Sequence, residues 1–354
     1  MPQIPRELVK SCLEFSTPQR IPRDVWTLPW AQNHYQVQVD DLLRRYPPDL
    51  TVACDVYRPS GRMKGNPYVV GEYADDWGCV FTNIQAGVHG EIRKPIISNV
   101  GDYKLVRPPY ETLPADISSA RDKVNRFCAA TDKFVRSWCC PRPWERYQFL
   151  RGSENAMIDV MLSKDEAEKL LSIIHSFYLA ELEFWITTDV DAISFMDDWG
   201  SQTQLLIPPS LWRELFKPLY QEYCDFAHAH GKYAFMHSDG QIMEIYPDLI
   251  EIGVDALNSQ LFCMDMEKLG ALAKGRITFW GEIDRQYVMA SPDPQAGRDA
   301  VRKVAQHLYD PTGGIIAQFE LGPASNPAVA FAVFEEWSKV EREHYNPVTR
   351  GELA

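Results

Sequence analysis

A chain of 354 residues, 45% hydrophobic and 24% charged, has the make-up of a folded globular protein rather than a disordered one. Its formal net charge of −13 leaves no basic stripe to neutralise phosphates, which argues against nucleic acid or an anionic membrane as a partner. No apolar run approaches the roughly 18 residues needed to span a bilayer, and the 8 cysteines form no C-x-x-C pair. Reduced thiols in a soluble, cytoplasmic chain without a signal peptide are therefore expected.

From the N-terminus onward one unit recurs: a short apolar run, a polar or acidic end, then an amphipathic helix. Seven such runs can be counted. "LTVACDVY" ends near Asp55, "FVRSWCC" follows Lys133, and "AISFMDDWG" ends on Asp197 and Asp198. "YAFMHSDG" ends on His237 and Asp239, and "DALNSQ" on Asn258 and Gln260. "ITFWGEID" ends on Glu282 and Asp284, and "GIIAQFE" on Glu320. The segment 57–133 is poor in helical periodicity and rich in turns, and "EYADDWGCVF" within it reads as a hairpin inserted after the first strand.

The connecting helices carry their own signals. Ser163 with Glu166 has the spacing of a capping box, ahead of an apolar face at Leu170, Ile174 and Phe177. Leu215, Leu219, Tyr223 and Phe226 form a second stripe, in which Pro218 predicts a kink or a late start and Gly231 a stop. Asn326 before Pro327 predicts an N-cap opening the helix through Trp337.

Strands alternating with helices imply parallel strands joined by crossovers. A doubly wound sheet and a closed barrel both fit. The repeated polar strand ends favour the barrel, whose C-terminal mouth gathers such residues, and no G-x-G-x-x-G follows an early strand. The expected architecture is an α/β fold, one (β/α)₈ TIM barrel domain over residues 1–354 with its insertion at about 57–133.

At that mouth His237 and Asp239 are two apart, hence on one side of their strand. A lone histidine beside a strand is ordinarily a core residue bonded to a carbonyl; with an aspartate two residues on, it reads as a site residue. Asp197 and Asp198 are adjacent and face opposite ways, so one of them is expected to cap a helix or meet solvent, and Asp198 is taken as the site residue. Glu282 ends a strand after Gly281, where the missing Cβ permits close approach. Glu320 follows a buried run, where a carboxylate without a partner is costly. His237, Asp239, Glu282 and Asp198 are the expected catalytic groups, with Trp199, Gln202, Asn258, Gln260 and Trp280 lining the substrate.

"MDDWGSQ", "HSDG", "ITFWGEID" and "GGIIAQFELGPASNP", in this order and spacing, resemble the uroporphyrinogen decarboxylase superfamily. Its barrels include the haem-pathway decarboxylase and cobalamin-dependent methyltransferases. The decarboxylase branch grips its polycarboxylate substrate with an N-terminal arginine motif. Here the stretch reads "RIPRDVWTLPW": Arg20 and Arg23 remain and the rest of the motif is absent. The zinc-dependent methyltransferases carry H-x-C on one strand and a further Cys on the last. His237 matches that histidine, while Asp239 and Glu320 stand where cysteines would. The resemblance thus implies a harder set of His237, Asp239 and Glu320, which can hold zinc or another divalent ion, bind a cationic or hydroxylated substrate directly, or carry out acid–base chemistry without a metal.

What the resemblance implies is methyl transfer between a small methylated substrate, or tetrahydrofolate, and a corrinoid on a separate protein, since no D-x-H-x-x-G cobalamin motif occurs in this chain. Two other readings stand beside it. One is a cofactor-free decarboxylase of a small carboxylic acid, uroporphyrinogen itself being disfavoured. The other is a non-catalytic barrel that binds a small metabolite.

Overall fold

The computed structural model describes residues 2–345. Eleven strands follow in chain order: β1 Arg23–Thr27, β2 Leu50–Val52, β3 Gly71–Ala74, β4 Val80–Asn83, β5 Glu91–Lys94 and β6 Phe134–Arg136, then β7 Ala192–Met196, β8 Tyr233–Ser238, β9 Ala256–Ser259, β10 Thr278–Trp280 and β11 Ile315–Leu321. Eight of them form one sheet in the order β1-β11-β10-β9-β8-β7-β6-β2. Flanked by helices, these parallel strands make a nearly closed barrel, an α/β fold of the TIM-barrel type. Its end strands come together where the Asp49 N–H donates to the Arg23 carbonyl at 2.8 Å.

The chain divides into two compact units, Met1–Thr51 with Asp132–Val135 and Ser238–Ala354, and Val52–Thr131 with Arg136–His237. In the first, β1 pairs with β11 from Arg23↔Ala317 to Thr27↔Leu321, and β10 joins β11 to β9. In the second, β7 pairs with β8 from Ala192↔Tyr233 to Met196↔His237. A three-stranded antiparallel sheet, β3-β4-β5, belongs to the second unit. Tyr73 and Phe81 face each other across β3 and β4 with rings stacked 4.8 Å apart. The "ADDWG" turn between them is closed by Asp75, whose side chain accepts the Cys79 N–H at 2.7 Å.

Each of the seven anticipated runs contains a barrel strand, and the eighth strand is β1, in "RDVWT". It lacks a long apolar run because Arg23 and Asp24 open it, so periodicity alone passes over it. The segment after β2 carries the expected hairpin, but also a 13-residue helix, Ile117–Ala129. Asp116 caps that helix by accepting the Ser119 N–H at 3.0 Å.

Leu170, Ile174 and Phe177 are buried on the helix Lys164–Trp185, yet the Ser163 side chain does not cap it. Ser163 also ends the preceding helix, its N–H donating to the Asp159 carbonyl at 2.8 Å, and the junction leaves no capping geometry. Pro218 stands at the start of Lys217–Ala229, directly after the helix Pro209–Leu215, which is the late start its missing N–H demands. The buried stripe there is Tyr220, Tyr223, Cys224 and Ala227, rotated from the expected Leu219 and Phe226. Asn326 caps the helix Pro327–Tyr345 as expected, accepting the Ala328 N–H at 3.0 Å.

Candidate active site

In the unit that ends at His237, the strand β7 carries four buried residues, Ala192 to Phe195, and then runs out into two aspartates. The register Met196↔His237 sets the end of β8 beside that run-out. His237 is buried at 9% exposure, and its Nε2 lies 3.4 Å from Asp198 Oδ1. Asp198 is more exposed, so this pair can meet a small molecule. Asp197 turns the other way and is completely buried. It accepts the N–H groups of Trp144 at 2.9 Å and Glu145 at 2.7 Å, and the Tyr220 hydroxyl at 2.6 Å. Those amides are the first orphan donors of the helix Pro143–Arg151, so Asp197 is a helix cap supplied from another element. Burial, reinforced by Glu145, holds its carboxyl well above the usual range despite these donors.

Glu145, passed over in the sequence, acts electrostatically on the His237–Asp198 pair, and Arg142 stands beside Glu145. Glu145, in the first turn of that helix, lies 3.5 Å from an Arg142 nitrogen. Its carboxyl is raised, first by burial and then by Asp198, while Arg142 and His237 pull the other way. Nothing in "CCPRPWE" announces this, because the neighbours come from β7 and β8.

Behind them lies a second buried polar group. Arg146 pairs with Asp75 and sits 4.9 Å over the Trp77 ring. Burial pushes Glu181 from 4.5 up to about 8, with Asp76 adding to the shift and Tyr57, Arg146 and Arg142 opposing it.

In the other unit an arginine organises the carboxylates. Asp239 follows β8, Glu282 follows β10 and Glu320 is near the end of β11. Arg285 pairs with Asp239, lies 3.6 Å from Glu282 and 3.5 Å from Glu320, and so serves all three. Burial alone would lower its pKa, but Glu282, Asp239 and Glu320 outweigh this and raise it. Glu282 is 1% exposed, which its charge tolerates only beside such a counter-ion. A cavity of about 420 Å³ opens beside Arg285 and Glu320 and is lined also by Gly322 to Ser325. Arg285 was legible only as a basic residue three positions after Glu282 in an otherwise acidic strand end.

The remaining expected residues are distributed unevenly. Asn258 is fully buried and donates to the Trp280 carbonyl at 2.5 Å and to Gln318 at 3.0 Å. Gln260 accepts the Gly240 N–H at 3.0 Å and so ties down the turn that carries Asp239. Trp280 is 2% exposed; its indole N–H and that of Trp26 both donate to Asp24 Oδ2, at 3.0 and 3.1 Å. Trp199 is buried against Trp144, the rings stacked 5.3 Å apart, with its N–H on the Tyr220 hydroxyl. Gln202 is exposed in the loop after it. Gly281 has φ +68°, and a Cβ there would run into the Gln318 side chain, so the close approach expected at this glycine is real.

The arginines that the sequence leaves near the N-terminus are already engaged. Arg20 grips Asp49 through two nitrogens, at 2.7 and 2.5 Å, and Arg23 lies 3.5 Å from Glu341.

Comparison with known proteins gives a consistent picture. The family model described as uroporphyrinogen decarboxylase (URO-D) matches residues 82–337. No curated protein matches the chain. Among solved structures, a methyltransferase from Methanosarcina mazei superposes with a TM-score of 0.66 at 13% identity, covering 95% of this chain and 99% of its own. A chitinase from Chromobacterium violaceum reaches only 0.40 at 10% identity, over 90% of this chain and 99% of its own, and bears on nothing further.

Proposed function

Because the chain belongs to the uroporphyrinogen decarboxylase family, we propose that it is a methyltransferase whose catalytic pair is His237 and Asp198. It moves a methyl group between a small methylated substrate, or tetrahydrofolate, and a corrinoid carried by a separate protein. The observation that carries this reading against polycarboxylate decarboxylation is the engagement of Arg20 by Asp49: the remnant of the arginine grip is neutralised within the fold. The Methanosarcina mazei neighbour, a methyltransferase, favours the same branch.

The chain's own contribution is proton management. As the bond from the methyl carbon to its heteroatom breaks, the electron pair stays on the heteroatom and needs a proton or a positive neighbour. His237 holds that proton, and Asp198, 3.4 Å from its Nε2, orients the ring and stabilises its charged form. The corrinoid on the partner supplies the methyl acceptor or donor.

Asp198 and His237 each offer a ligand atom to a divalent ion such as zinc, a carboxylate and an imidazole that a Lewis acid accepts. Asp239 and Glu320 are both paired with Arg285, which neutralises their carboxylates. The test is a corrinoid-dependent methyl-transfer assay paired with metal analysis of the purified protein. Turnover lost in His237→Ala at unchanged Tm supports the reading; full turnover in that variant rejects it.

A second reading draws on Glu145. A carboxyl raised by burial beside Asp198 and His237 suits protonation of a carbanion after CO₂ departs with its C–C bond broken. Release of ¹⁴CO₂ from a small labelled acid, without any corrinoid protein, would favour it.

A further inference from the structure

The arginines of this protein differ in how fully they are satisfied. Arg20 holds Asp49 through two nitrogens, and Arg151 holds Asp159 at 2.6 and 2.9 Å. Arg146 is paired with Asp75, and Arg285 with Asp239. Arg142 has no such partner. Its carboxylate neighbour, Glu145, is 3.5 Å away, longer than the forked pairing a guanidinium makes, and the Cys140 thiol, Tyr178 and Glu181 are its other electrostatic neighbours. Its N–H donors thus make one loose ion pair and no forked one, on a side chain that is a third exposed.

The backbone keeps Arg142 where it is. Pro141 and Pro143 flank it, and the proline that follows keeps it out of the helical region, at φ −144° and ψ 69°. The helix that begins at Pro143 is capped by Asp197, the neighbour of Asp198, so the arginine and the His237–Asp198 pair are referred to one rigid framework. Glu145 is in electrostatic contact with Arg142 on one side and with Asp198 and His237 on the other.

Resting on the methyl-transfer reading above, we propose that Arg142 is the anion anchor of this site. It takes the carboxylate of a small methylated acid whose methyl-bearing heteroatom is served by His237 and Asp198. The net charge of −13 does not forbid this: one guanidinium without a forked partner sets the local field at close range, where bulk charge is screened. A monoanion fits one such anchor, whereas a substrate bearing many carboxylates would need several.

The test compares methoxy acids with their neutral amides, methoxyacetate with methoxyacetamide and 4-methoxybenzoate with 4-methoxybenzamide. Binding is measured by ligand-observed NMR on the whole chain, alone. Wild-type protein should bind at least one acid about tenfold or more tightly than its amide, the scale of a charge-assisted hydrogen bond. Arg142→Gln should bring that acid down to the level of its amide and leave the amide unchanged. Arg142→Lys, which keeps the charge but loses the fork, should fall between them, and it serves as the readout if the glutamine variant folds poorly. No acid preferred over its amide by wild type, or a preference that survives Arg142→Gln, overturns the proposal. Because the assay reads binding alone, an Arg142-dependent preference stands even where no methyl transfer is found, an outcome that rejects only the methyl-transfer reading.

Discussion

Asp197 and Asp198 are neighbours in sequence with opposite duties: the first is buried on the amides of Trp144 and Glu145, the second stands 3.4 Å from His237 Nε2. Successive residues leaving a strand point to opposite sides, so a doubled aspartate can serve the scaffold with one carboxylate and the chemistry with the other.

Substituting each in turn should separate the two duties. Asp197→Ala leaves two helix amides and the Tyr220 hydroxyl without their acceptor, each costing about 1–3 kcal/mol when buried, so Tm should fall by many degrees. Asp198→Ala, at the more exposed position, should keep a near-native Tm while turnover drops about 100-fold or more, as for His237→Ala. The double variant of Asp198 and His237 should be little worse than either alone, since both act on one substrate. Equal losses of Tm in Asp197→Ala and Asp198→Ala would remove the distinction.

Arg285 is the counter-ion of three carboxylates. Arg285→Ala should destabilise the fold by about 3 kcal/mol at pH 7, the low end for an orphaned buried charge because the side chain is partly exposed. Three like charges then repel, and adding protons relieves them. The deficit against wild type should therefore narrow as pH falls towards about 4, as urea titrations across that range would reveal. A deficit independent of pH would mean that Arg285 acts by packing alone.

Glu181, raised to about 8 from an ordinary 4.5, makes a stability signature of unusual sign. The folded state holds its proton where the unfolded chain has lost it, so this contribution is full below about pH 4.5 and is lost as pH rises through about 8. Glutamine mimics the protonated form. The Tm of Glu181→Gln relative to wild type should therefore climb between pH 6 and pH 9, by at least about 2 °C. A flat difference across that window would show that Glu181 is not held protonated.

With Arg20 committed to Asp49, the protein should not turn over uroporphyrinogen. Formation of coproporphyrinogen would place the chain on the decarboxylase branch after all. Freeing Arg20 by Asp49→Asn should lower stability without creating that activity, because the rest of the arginine motif is missing from "RIPRDVWTLPW".

What the amino-acid order determined by itself was whatever depends on short-range chemistry. Short apolar runs, most with polar or acidic ends, marked seven strands and the side on which His237 and Asp239 emerge. Proline without its N–H set the late start at Lys217, and Asn326 before Pro327 set the last helix. The family motifs likewise lie in contiguous stretches. Tertiary structure alone decided which polar residues meet. Arg285 lies between carboxylates from three strand ends separated by up to 81 positions (239 to 320), and Asp197 caps a helix 52 residues upstream. Glu145 looks like part of an ordinary helix start until β7 and β8 bring Asp198 and His237 beside it. The physical reason is that charge acts through space over several ångströms while sequence patterns report only neighbours along the chain. Strand ends therefore advertise that a site exists, and the fold selects which of their charges are neutralised and which remain for a ligand.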